Sequence, residues 1–169
     1  MDNPFVLIET SSGDILVELF ADKTPETVAN FLRYVDEGFY KNTIFHRVIK
    51  EFMIQDGGLT MRMEEKTAHA PIQNEAGAGL KNTKGTLAMA RMTEPHSAAA
   101  QFFINTVDNP ELDHTEPTPE GYGYCVFGQV VEGMDTVAKI EKIKVKAVGE
   151  HEAVPVDSVV ITGVSRFDL

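Results

Sequence analysis

A mainly β fold carrying two helices is what this sequence predicts, and three observations predict it. Short apolar runs alternate with polar residues at a period of two, and clusters of turn-forming residues separate them. Only two windows place apolar residues at helical spacing. At 169 residues the chain has the length of one domain with a core of its own, so residues 1–169 are expected to fold as a single unit.

The elements follow in order. Phe5 to Thr10 and Ile15 to Phe20 read as two strands joined by the turn Ser11-Ser12-Gly13-Asp14. In the second, Ile15, Val17 and Leu19 make an apolar face, and Leu16, Glu18 and Phe20 a mixed one. A helix follows, with Thr24 at the N-cap, Pro25 at the first helical position and Glu26 complementing the dipole. Val28, Phe31, Leu32 and Val35 share one face of it, and Gly38 supplies the stop. Residues 59–84 show no sustained period, and a connection of that length is usually functional or poorly ordered. Gly85 to Arg91 resumes a strand, with Leu87 and Met89 on one face and the small residues Thr86, Ala88 and Ala90 on the other. Gln101 to Thr106 is a further strand, and Asp108 to Gly123 a surface loop with three prolines. Tyr124 to Val131 reads as a strand, Glu132 to Lys142 as the second helix, and Asp157 to Val164 as the last strand.

Composition excludes several functions. A formal charge of −11 argues against a nucleic-acid surface, which needs a basic patch. No segment approaches the roughly 20 apolar residues of a membrane span. The start MDNPFVLIET has neither a basic region nor an apolar run of signal-peptide length, so the chain is expected in the cytoplasm. Cys125 is the only cysteine, which excludes an intramolecular disulfide, and it reads as a small buried hydrophobe. His69 has no second ligand at metal spacing, so no metal is expected. Nucleophile–base pairs and phosphate-binding glycine loops are missing too, and no cofactor is expected.

Phe45 to Gly58, FHRVIKEFMIQDGG, is the stretch with the strongest chemical character. As a strand it puts Arg47 on the face of Phe45 and Ile49; after a break at Lys50-Glu51, Met53 and Gln55 share a face beside Phe52. A half-buried strand whose arginine snorkels to water accounts for this mixture, and so does a site. The strand Gln101 to Thr106 repeats the mixture, with Phe103 between Gln101 and Asn105 on one face.

These residues carry a resemblance. FHRVIKEFMIQDGG, GTLAMAR (Gly85 to Arg91), AQFFINT (Ala100 to Thr106) and YCVFGQVVEGMD (Tyr124 to Asp135) resemble, in order and spacing, the motifs of the cyclophilin-type peptidyl-prolyl isomerases, notably the short bacterial ones. The similarity runs from about Ile8 to about Val164. It implies a closed antiparallel eight-stranded barrel capped by two α-helices. It also implies an activity that needs no covalent chemistry, rotation about an Xaa-Pro bond. Arg47 takes the catalytic part, and Gln55 resembles the amide that holds arginine and substrate in place. Phe52, Met53, Phe103 and Leu112 resemble the walls of a proline pocket. Gln101 lines the neighbouring groove, Ala90 and Arg91 lie along the strand that pairs with substrate backbone, and Asn74-Glu75 belongs to a bordering loop.

The sequence departs from the eukaryotic pattern at three of these places. Glu111 stands where those members have a tryptophan that donates to cyclosporin, so weak or no binding of that drug is expected. Tyr124 replaces a histidine and still walls a pocket. Arg91 stands where asparagine is frequent and adds a second positive charge near the groove.

Two functions compete on this evidence. The first is a cytoplasmic, monomeric prolyl isomerase that acts on proline-containing peptides and folding proteins. The alternative is a proline-peptide-binding module or chaperone whose isomerase activity is incidental. An intact arginine favours the enzyme, since binding alone does not require a cation at the twisted nitrogen. Because Tyr124 replaces the histidine, turnover is expected to change little between roughly pH 6 and 8, where histidine titrates. A pH–rate profile checks this; an inflection near about pH 6.5 would bring another histidine, His46 or His96, into the site.

Overall fold

The computed structural model describes residues 3–168. It opens with a hairpin, β1 (Phe5–Thr10) and β2 (Gly13–Leu19), closed by the two-residue loop Ser11-Ser12. Thr10 organises that loop, its hydroxyl donating to the Gly13 carbonyl at 2.6 Å and accepting the Ser12 N–H at 3.0 Å. Helix α1 (Pro25–Asp36) follows, then β3 (Thr43–Ile44), β4 (Arg47–Ile49) and β5 (Met53–Asp56). After the long connection come β6 (Thr86–Met89), β7 (Phe102–Asn105), β8 (Val126–Glu132) and helix α2 (Met134–Glu141). The chain ends with β9 (Val145–Val148), β10 (His151–Pro155) and β11 (Val160–Phe167).

Nine strands form one antiparallel sheet in the order β3-β11-β1-β2-β8-β6-β7-β5-β4, and β9 pairs with β10 alone. This differs from the closed eight-stranded barrel that was expected. The sheet curls, and among the described residues no ladder joins its end strands β3 and β4. The reason lies in connectivity: one run of chain, 43–49, pairs at its start with β11 and at its end with β5, with Phe45 and His46 between. Two consecutive pieces of one run cannot zip to each other without a reversal.

Side-chain alternation gives the sheet two apolar faces. Ile54, Leu87, Met89, Phe102, Ile104 and Phe127 point into the main core, where they meet Phe31, Val35, Val137 and Ile140 of the two helices. Met53, Ala88, Phe103 and Val126 form a smaller cluster on the opposite face. Phe31 centres the main core, its ring 5.2 Å from Tyr40, 5.5 Å from Phe102 and 5.1 Å from Phe127. The buried stripe of α1 contains the four residues predicted for it, joined by Thr27 and Tyr34.

Thr24 occupies the N-cap position but does not cap through its side chain; its hydroxyl donates to the Phe20 carbonyl. The cap comes from 48 residues away. Glu75 accepts the Thr27 N–H at 2.7 Å and the Thr27 hydroxyl at 2.6 Å, placing a negative charge at the positive end of the helix. The connection 59–84 is thereby tied to the body. His69 joins it to the end of α1, its Nε2 lying 2.7 Å from Glu37. Cys125 is buried against the Thr27 hydroxyl, and burial pushes its thiol up to about 11. Among the described residues no helix is long and apolar enough to cross a membrane.

The hairpin β9–β10 falls in a stretch, 143–156, to which the sequence reading assigned no structure. Its strands are short, and β9 is mostly exposed, so the alternation that marks the other strands is weak here.

Asp56 is the anomaly of the core side. It is fully buried on β5, where Oδ1 accepts the Gly57 N–H and Oδ2 has no partner among the described residues. The neighbouring Thr43 hydroxyl spends its proton on the Tyr40 carbonyl at 2.7 Å. Burial raises the Asp56 carboxyl to about 7, the Gly57 N–H offsetting only part of that. With a folded value above the unfolded 3.8, the folded state binds the extra proton, so this group's contribution weakens as pH rises towards 7. Buried His46, pushed down to about 4 from 6.5, acts oppositely, adding stability as pH rises between those values. Comparison with Asp56→Asn isolates the carboxyl. The variant's stability advantage in urea unfolding is expected to widen by roughly 3 kcal/mol between about pH 5 and 8. An advantage that does not change with pH would remove Asp56 as the cause.

Candidate active site

One cross-strand row carries the site. Arg47 of β4 lies opposite Gln55 of β5, Gln55 opposite Phe103 of β7, Phe103 opposite Ala88 of β6, and Ala88 opposite Val126 of β8. Directly opposed residues share a face, so arginine, amide and aromatic ring all stand on the smaller apolar face, away from the main core. The break foreseen at Lys50-Glu51 is a tight reversal in which Glu51 adopts a left-handed φ of 60°. It brings Phe52 round beside Arg47, whose guanidinium carbon lies 6.0 Å from the ring centroid.

A cavity of about 390 Å³ opens over this row, and all ten residues expected at the site line it. Met53 and Phe103 are buried in its floor, with Phe52, Leu112 and Tyr124 packed against them. Tyr124 meets Phe103 edge to face, with ring centroids 5.7 Å apart. Gln55 donates from Nε2 to Gln101 Oε1 at 2.9 Å, so its recorded hydrogen bond runs along the groove and not to Arg47. Gly58 makes that placement possible, since a Cβ there would lie 2.5 Å from Gln101 Nε2. Arg47 is exposed at the rim, and among the described residues its guanidinium has no hydrogen-bond or ion-pair partner. Its five donors are free for a ligand.

Arg91 differs. Its Nε donates to the Gly123 carbonyl at 2.9 Å, and its terminal nitrogens to the carbonyls of Met92, Thr93 and Pro119. The guanidinium also lies 4.8 Å from the Tyr124 ring centroid. This arginine ties two loops together and holds Tyr124 as a wall, with four of its five donors already committed.

Asn105, which shares a face with Phe103 in the sequence, does not reach the cavity. It is fully buried, donating to Asn82 Oδ1 at 3.0 Å and Thr86 Oγ1 at 2.9 Å, while its own oxygen accepts from Asn109 at 2.8 Å. Asn109 also donates to the Phe52 carbonyl at 3.0 Å, and Asn82 to the Leu112 carbonyl at 3.2 Å. Two walls of the cavity thus hang on a buried amide network. The sequence carried no signal for it, because Asn82 and Asn109 sit in loops where asparagine is ordinary. Asn74 plays a similar part, its amide donating to the carbonyls of Pro95 and Gly123.

The structure also brings in two histidines that the sequence did not place there. His46 and His151 both line the cavity, their rings edge to face with centroids 5.7 Å apart. Burial first, then neighbouring His151 and Arg47, hold the His46 imidazole neutral down to about pH 4.

Comparison with known proteins gives a concordant answer. The family model described as "Cyclophilin type peptidyl-prolyl cis-trans isomerase/CLD" matches residues 5–166. Peptidyl-prolyl cis-trans isomerase B of Escherichia coli (strain K12) is 55% identical over 160 residues, covering 95% of this chain and 98% of that protein. Peptidyl-prolyl cis-trans isomerase cyp18 of Streptomyces antibioticus is 54% identical, covering 92% of this chain and 94% of that protein. Among solved structures, a cyclophilin type peptidyl-prolyl cis-trans isomerase from Cryptosporidium parvum superposes with a TM-score of 0.80 at 29% identity, over 99% of each chain. The same Cryptosporidium protein crystallised in the presence of the dipeptide Ala-Pro gives a TM-score of 0.79, over 98% of this chain and 99% of that one. Family model, relatives and fold agree: the chain belongs to the cyclophilin-type peptidyl-prolyl cis-trans isomerases.

Proposed function

We propose that this protein catalyses cis–trans rotation about Xaa-Pro peptide bonds, with Arg47 as its catalytic cation. The observation that carries the proposal is an exposed, unpartnered guanidinium at the rim of a cavity whose floor is apolar. Rotation breaks amide conjugation, against a barrier of about 18–20 kcal/mol. At the top of that barrier the prolyl nitrogen is pyramidal and basic. A fixed donor aimed there interacts more strongly with the twisted amide than with the planar one, and only such a difference raises the rate. Each tenfold needs about 1.4 kcal/mol of it.

The other residues serve that arginine. Met53, Phe103, Phe52 and Leu112 grip the proline ring by burying it, with Tyr124 as a further wall. Gln55 is fixed by its donation to Gln101, and among the described residues its carbonyl oxygen accepts no hydrogen bond, which leaves it free to accept from the substrate. Ala90 and Arg91 border the groove where extended substrate backbone pairs. The named activities of the bacterial relatives support the reaction, and Ala-Pro with the Cryptosporidium neighbour supports the substrate class. The same proposal takes residues 1–169 as one domain working as a monomer in the cytoplasm on folding proteins; the family match over residues 5–166 supports the first of these. Weak cyclosporin binding belongs to it too, since Glu111 is exposed and lines no part of the cavity.

Exchange spectroscopy by NMR on a short Xaa-Pro peptide tests the reading. Wild type is expected to accelerate interconversion, and Arg47→Ala to lose roughly 100-fold of the effect while melting as wild type does, because Arg47 is exposed and unpaired. Peptide binding by both proteins without acceleration by either would make the groove a recognition site. Arg91→Met is expected to behave differently: freeing the carbonyls it holds lowers Tm by about 5 °C and raises KM more than it lowers kcat. Equal losses in kcat from the two variants would contradict the division of labour between the arginines.

A further inference from the structure

We propose that the β9–β10 hairpin forms a subsite for a basic side chain of the substrate, adjoining the proline pocket on its Arg47 side. This rests on the isomerase reading above. A second cavity of about 260 Å³ lies there, lined by Ile49, Glu150, Glu152 and Ala153. His46, Arg47 and His151 line both this cavity and the larger one, so the two adjoin on either side of the catalytic arginine. A peptide whose proline fills the first therefore sets a flanking residue at the mouth of the second.

The lining suits a long cationic side chain. Ile49 and Ala153 are half-buried and offer apolar surface to an aliphatic stem, while Glu150 and Glu152 are exposed at the rim, where a charged head keeps contact with water. Among the described residues neither carboxylate has an ion-pair partner, and the hairpin's own Lys144 and Lys146 line no part of the cavity. With His46 neutral, two carboxylates against one guanidinium leave the walls net negative. Independently of these acids, His46 lines the cavity at 4% exposure, and among the described residues its Nδ1 has no partner within hydrogen-bond geometry although the Ile44 backbone lies near, which leaves the atom to a water or a ligand.

The test uses matched proline peptides carrying lysine, its neutral isostere norleucine, or glutamate, placed either two residues before or two residues after the proline. Wild type and the double variant Glu150→Gln/Glu152→Gln are compared for exchange rate and, separately, for affinity by chemical-shift titration. The readout is the lysine-to-norleucine ratio within each protein, so any general loss in the variant cancels, and circular dichroism confirms its fold. At low salt wild type is expected to favour lysine by roughly threefold to fivefold at one of the two positions, with glutamate disfavoured. The ratio falls towards one in the variant and at high salt. The position that responds reports which way the peptide runs along the groove. A ratio near one in wild type, or one that survives in the variant, overturns the subsite. Tighter binding of the lysine peptide without acceleration of any peptide supports the subsite and sinks the isomerase reading, whereas equal acceleration of all peptides does the reverse.

Discussion

Arg47 stands opposite Gln55, and Gln55 opposite Phe103, because β4, β5 and β7 keep one register. Side chains alternate between faces with a period of two, so a slip of one residue in β5 would exchange Met53 and Gln55 for Ile54 and Asp56. A buried carboxyl would then enter the groove, and the site's amide would enter the core. Ile54 and Phe102, locked among the side chains of the main core, hold that register. The polar chemistry on one face is therefore fixed by hydrophobic packing on the other.

Around this row the protein separates rigidity from reactivity. The amides of Asn82, Asn105 and Asn109 satisfy one another and the backbone behind Phe52 and Leu112, so the walls of the pocket are set before any ligand arrives. Arg91 does the same for the loops beside Tyr124. Arg47 is left without a partner, and that contrast gives the two arginines different work. On the mechanism proposed above, a donor already committed to carbonyls has little to offer a reacting nitrogen, while a free one held over an apolar floor keeps its full interaction for the twisted amide.

Most of this was legible in the sequence where a residue's role follows from its place along a strand. Period-two alternation placed Arg47, Gln55 and Phe103, and the family motifs added the pocket walls. Asn105 shows the limit: alternation gave its face correctly, but whether that end of the strand is open or covered depends on loops that supply Asn82 and Asn109. Thr24 shows another, since its hydroxyl turned to the preceding turn and the helix took its cap from Glu75, a pairing across 48 residues that no local pattern encodes. The hairpin β9–β10 was missed because exposed strands do not need apolar alternation. With it went His151, which meets the site only through the folding of the chain end.

The run 43–49 joins the two edges of the sheet, with Ile44 beside Val160 near the end of the chain and Arg47 beside Gln55. Such distant pairing is slow to form, because loop closure precedes the contacts that reward it. Completion of the groove is therefore tied to a contact outside it, the pairing of β3 with β11, which anchors the far end of the run that carries Arg47.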